Sequence, residues 1–143
     1  MLPLWGQRSG ASRKRGGPSM SARLALVLAS LLAFLAVALG AFGAHALKTR
    51  IAPDMQAVWQ TAVLYHGWHA LALFGVGLLI LHFPDRAGLA WAGWLFIAGI
   101  ALFSGSLYAL ALTGVKNFGV VTPIGGIALL IGWLVVAWTM ATG

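Results

Sequence analysis

Charged residues in this chain occur only in clusters, and the gaps between the clusters dictate what it can fold into. Arg8, Arg13, Lys14, Arg15 and Arg23 make a basic head. Lys48, Arg50 and Asp54 follow, then Asp85 with Arg86, then Lys116 alone. Between these clusters run four stretches without Asp, Glu, Lys or Arg: 24–47, 55–84, 87–115 and 117–143. Each exceeds the ~20 residues that, at ~1.5 Å rise per residue, cross a ~30 Å hydrocarbon core. Lipid offers backbone groups no hydrogen-bonding partner, so a spanning segment is either a helix or part of a closed barrel. The stretches show no period-two alternation, which excludes barrel strands. The fold class is therefore all-α: a polytopic membrane protein built as a four-transmembrane-helix bundle.

Composition agrees and narrows the chemistry. Mean hydropathy is +0.94 and only 8% of residues are charged, against about 25% in an ordinary soluble domain. With two carboxylates and no cysteine, a disulfide scaffold, a thiolate metal cluster and a cysteine nucleophile are excluded. There is no phosphate-binding loop, HExxH pair or hydrolase serine elbow. No acid lies within a span, which removes the usual proton-relay and cation-coupling ligands.

The helices are predicted at about 24–44, 53–83, 89–112 and 122–142. Pro53 suits a first helical position, with Asp54 complementing the positive helix end. The first two turns of helix two, with Gln56, Trp59 and Gln60, are expected at the membrane interface. So are Trp91 and Trp94 on helix three. Thr122-Pro123 reads as an N-cap and first turn for helix four. Small residues at helical spacing predict close packing: Ala36, Gly40 and Gly43; Gly67, Ala70 and Gly77; Ala98, Ala101, Gly105 and Ala109; Gly125, Ala128 and Gly132.

Residues 1–20 read as a basic N-terminal extension, expected to be disordered or absent. The head orients helix one as an uncleaved anchor, although Ala44-His45-Ala46 offers a small-x-small pattern. Counting Lys and Arg, the head and Arg86 outweigh Lys48, Arg50 and Lys116, so both termini are expected in the cytoplasm. Translation from Met20 would remove most of that bias. No nucleic acid is expected as a partner; the lipid bilayer is, with a larger membrane complex or a homo-oligomer beside it.

The candidate polar site comprises His45, Gln60, Tyr65, His66, His69, Ser106 and Tyr108. His66 and His69 stand one helical turn apart and share a face with Trp59 and Ala62. An imidazole leaving a donor or acceptor unpaired in hydrocarbon costs ~1–3 kcal/mol. They should therefore face the bundle interior or the outer water boundary and never lipid, with His45, Gln60, Tyr65 and helix-three hydroxyls as partners. The preferred reading is structural; the alternative is that His45, His66 and His69 hold haem, a metal or a quinone. Ser104 and Ser106 have no accompanying base, so no catalytic residue is assigned.

The segments Leu39–Leu47 (LGAFGAHAL), Trp59–Ala62 (WQTA), Tyr65-His66 with His69-Ala70-Leu71, Ser104–Tyr108 (SGSLY), Thr122–Gly126 (TPIGG) and Gly132-Trp133 resemble family 423 of the domains of unknown function. These are small bacterial membrane proteins with an animal mitochondrial relative. The resemblance covers about residues 20 to 143. It implies a four-helix protein of the bacterial inner membrane, or alternatively of the mitochondrial inner membrane, and brings no reaction, cofactor or partner with it. Residues 1–19 depart from the family pattern. Three functions compete. First is a non-catalytic structural or accessory component, with no enzymatic activity and no cofactor. Second is the cofactor-binding module. Third is a small-solute transporter or channel.

Overall fold

A computed structural model describes residues 16–142, and the described residues are helical apart from short connections. Four helices are long and apolar enough to cross a membrane: α1 (Ala22–His45), α2 (Pro53–His82), α3 (Ala87–Thr113) and α4 (Phe118–Thr142). Local chemistry sets most of their ends. Ser21 caps α1, its hydroxyl accepting the Leu24 N–H at 3.1 Å. Pro53 opens α2 with Asp54 in the first turn. The α1–α2 turn is tied down by the Gln56 Nε2 amide, which donates to the Leu47 carbonyl at 2.6 Å. Gly114 closes α3 in the left-handed region, φ 69°, where its N–H reaches the Leu110 carbonyl.

Two expected features fall elsewhere. Helix α4 starts at Phe118, so Thr122 is not its N-cap and Pro123 lies inside it. The helix can start early because Phe118, Gly119 and Val120 direct their N–H groups to Val115, Lys116 and Asn117. Pro123 then lacks only the N–H that would have reached Gly119. Along α3, Ala98 and Ala101 are exposed, and the packed face carries Ala92, Gly93, Phe96, Gly99 and Ile100 instead. Both sets have helical spacing, and in a helix apolar all round the pattern alone does not choose between them.

Packing follows chain order. Helix α1 lies along α2, α2 along α3, and α3 along α4, while α1 and α4 flank the bundle without a substantial shared interface. Small residues allow the close approaches. A Cβ on Gly43 would fall on the Trp59 ring, and one on Gly132 would sit 2.7 Å from Phe96. Trp59 is therefore buried in the α1–α2 seam, and its Nε1–H donates to the Leu39 carbonyl at 2.9 Å.

The last residues of the predicted extension belong to the bundle. Met20 is 7% exposed in a cluster with Ala25, Ala29, Leu73 and Ala90, and Trp94 Nε1–H donates to the Ser19 carbonyl at 3.2 Å. An apolar thioether beside small α1 and α3 side chains is worth burying, and Met20 packs there. Residues 1–15 lie outside the described part. Arg86 reaches from the start of α3 to the Thr139 carbonyl near the end of α4, at 2.9 Å. Residues 17–20, the α2–α3 turn and the C-terminal end thus share one side of the bundle.

Candidate functional site

Halfway along α3 the helix widens into one π-helical turn, Ile100–Ser104, in which Gly105 N–H bonds the Ile100 carbonyl. Such turns insert a residue into the α pattern and often mark functional positions. Neighbours on both sides hold this one. Ser104, 1% exposed, donates its hydroxyl to the Ala62 carbonyl of α2 at 2.8 Å. On the other side, Gly125 of α4 touches the widened backbone directly: a Cβ there would overlap Phe103 N and lie 2.7 Å from Leu102 C and Phe103 Cα. Ser106 donates to the Phe103 carbonyl at 2.9 Å and shares a 2.7 Å bond with the Thr122 hydroxyl. The Thr122 hydroxyl also reaches its own helix's Phe118 carbonyl at 3.4 Å, so either hydroxyl can supply the proton between them.

The two histidines face this region from α2, both buried. His69 Nδ1 lies 2.7 Å from its own helix's Tyr65 carbonyl, and a carbonyl only accepts, so the proton is on Nδ1. Nε2 is then a lone pair, and Trp133 Nε1–H of α4 donates to it at 3.1 Å. Both nitrogens are satisfied. His66 differs. Its Nδ1 is 3.0 Å from the Tyr108 hydroxyl of α3, and its Nε2 is the buried side-chain polar atom without a partner among the described residues. The ring is 2% exposed.

The expected partners come together only in part. His66 meets Tyr108, a helix-three hydroxyl, and His69 meets Tyr65 through the latter's carbonyl and a ring stack at 6.1 Å. Ser106 turns to α4 instead of the histidines. Gln60 is exposed, and so is His45 at the end of α1. Gly43, two residues before His45, packs on Trp59, which leaves His45 about 14 Å along the axis from His66 and about 18 Å from His69. The imidazoles do not converge, and no group of three or more His, Cys, Asp or Glu is placed to hold a metal among the described residues. Ala62, Thr122, Gly125 and Trp133 were not assigned to the site. Trp133 and the Thr122–Gly126 run were visible in the sequence, but nothing in it said which helix they would meet.

This belt of contacts joins the same short runs that mark a known family. The family described as "Protein of unknown function (DUF423)" matches residues 39–126. The chain belongs to this family. It is 46% identical to the UPF0382 membrane protein YwdK of Bacillus subtilis (strain 168) over 111 residues, covering 78% of this chain and 90% of that one. It is 45% identical over 112 residues to the UPF0382 membrane protein SAB0533 of Staphylococcus aureus (strain bovine RF122 / ET3-1), with the same coverage. No solved structure matches. The chain is a membrane protein of the family, with four apolar helices.

Proposed function

We propose that this protein is a non-catalytic structural or accessory component of the bacterial inner (plasma) membrane, with both termini cytoplasmic, that works beside other membrane subunits or copies of itself. The observation that carries this reading is the use of its buried polar side chains. Ser104, His69, Trp59 and the Ser106–Thr122 pair each link two helices, which makes the belt a set of fasteners rather than a reaction centre. The flanking helices support it from outside, since α1 and α4 expose Phe34, Val37, Leu134 and Trp138 to lipid or to a partner. Arg23 at the start of α1 and Arg86 lie on the same side, which accords with a cytoplasmic location for that side.

One observation favours a second reading, a cofactor-binding module: the buried, unpartnered His66 Nε2. Against it, His69 has no free nitrogen and His45 is remote, so His66 would be a lone ligand.

Purification in mild detergent at native abundance, read together for co-purifying subunits and visible absorbance, separates the two. The accessory role gives a stoichiometric partner or a larger oligomer and a colourless protein. A monomer carrying a Soret band or a bound quinone, abolished by His66→Ala, overturns it.

A further inference from the structure

We propose that the seam between α1 and α2 binds one anionic membrane lipid, its headgroup at the α1–α2 loop and one acyl chain laid along the helices. Three hollows make the groove, and they are continuous. The mouth, of about 400 Å³, shares Ala44 and Gln60 with a neck of about 270 Å³. The neck shares Gly40, Val63 and Leu64 with a trough of about 580 Å³. Polarity changes along this path as it does along a lipid. Lys48, Gln56 and Gln60 line the mouth. The trough is apolar, with Ala33, Ala36 and Gly67 among its small residues and Val37, Trp68 and Leu71 beside them.

Its length fits one leaflet. From Gln60 at the mouth to Leu71 at the far end the groove follows eleven residues of α2, about 16 Å, or half of a ~30 Å hydrocarbon core. The sequence creates it by leaving side chains out. The two helices touch closely at Gly43–Trp59 and again at Gly77–Leu26, whereas between these points a Cβ on Gly67 would find only the Ala36 Cβ, at 3.9 Å. The neck is the smallest of the three hollows, which suits a hydrocarbon chain better than a helix ~10 Å across with its side chains. Charge selects the head. Lys48 lines the mouth and Arg50 follows in the same exposed turn, while the nearby carboxylate, Asp54, is not among the lining residues. A cation at the membrane surface attracts anionic headgroups.

Native mass spectrometry tests this on protein reconstituted in nanodiscs of phosphatidylglycerol and phosphatidylcholine and released into mild detergent. The expected result is one retained lipid per chain, with phosphatidylglycerol preferred about fivefold. Lys48→Gln, at an exposed position, should erase the preference while leaving a lipid bound. Gly67→Leu should abolish retention of either lipid, and Gly75→Leu, on the same helix but outside this groove, should retain it as the parent does. Equal retention of the two lipids by the parent, or unchanged retention by Gly67→Leu, overturns the proposal. A lipid-free dimer that Gly67→Leu converts to monomer also overturns it, giving the seam to a second copy.

Discussion

Gly125→Ala should unfold this protein more easily, although alanine is the better helix former. The added methyl has nowhere to go. It would overlap Phe103 N and lie 2.7 Å from Leu102 C and Phe103 Cα, well inside the ~3.5 Å at which carbon atoms pack best. All three obstructing atoms are backbone, so no side chain can rotate away, and α4 must back off from α3 by roughly 1 Å. That movement stretches the 2.7 Å Ser106–Thr122 bond one turn away. Overpacking of a tight contact costs about 1–3 kcal/mol, and an interhelical hydrogen bond in a membrane adds about 0.6 kcal/mol. The helix-propensity gain of alanine over glycine offsets about 1 kcal/mol of this. The net loss is about 2 kcal/mol, or roughly a 30-fold fall in the ratio of folded to unfolded protein. Gly75→Ala is the counterpart, because nothing lies within 4 Å of a Cβ there. That change should keep the propensity gain and stabilise by about 0.5–1 kcal/mol. Equilibrium unfolding in mixed dodecylmaltoside–SDS micelles, followed by far-UV circular dichroism, measures both. A Gly125→Ala protein as stable as the parent would refute the direct contact between α4 and the widened turn of α3.

The histidines should differ in cost. His69→Leu strands the Trp133 indole N–H and should lose about 1–3 kcal/mol, whereas His66→Leu breaks one bond but also removes an unpartnered nitrogen, and should lose less in the same micelle assay. Combining His69→Leu with Trp133→Phe should lose less than the two single changes added together, a coupling of about 0.6–1.7 kcal/mol. Lys116→Cys is a clean topological probe because the chain has no cysteine of its own; an impermeant maleimide should label it only from the extracytoplasmic side, and labelling from the cytoplasm would invert the proposed orientation. Arg86→Ala removes the 2.9 Å bond to the Thr139 carbonyl and should speed hydrogen exchange in the last turn of α4, leaving mid-helix amides protected.

The gaps between charge clusters located all four helices because burying a charge in lipid is the most expensive local choice a membrane chain can make. The same logic aimed His66 and His69 inward, and both are buried. Helix ends were legible where a residue has a backbone reason to be there, as at Pro53 and Asp54. They were misplaced where a tertiary contact overrides the local signal. Thr122 looks like a cap, yet its hydroxyl is needed across the interface at Ser106. The packed face of α3 was not legible at all. In water a helix declares its buried face by a polar opposite face; in lipid both faces are apolar, and small residues on either face fit a helix pair equally well.

The widened turn had a trace in the sequence that only its surroundings make readable. Gly99 and Gly105 bracket Ile100–Ser104, and Ser104 and Ser106 stand just where the extra residue changes the direction of the helix. In a regular α-helix, residues 104 and 106 lie about 200° apart, and the structure does send them to different neighbours, Ala62 on α2 and Thr122 on α4. Tyr108, one turn on from Ser104, is left over α2 to meet His66. The Ser104–Tyr108 run is therefore a three-way joint: one serine for each adjacent helix and a phenol for the buried imidazole. Its glycine partner on α4 allows the contact. A joint of this kind holds three helices in one register and so fixes the faces that α1 and α4 present on the two flanks of the bundle.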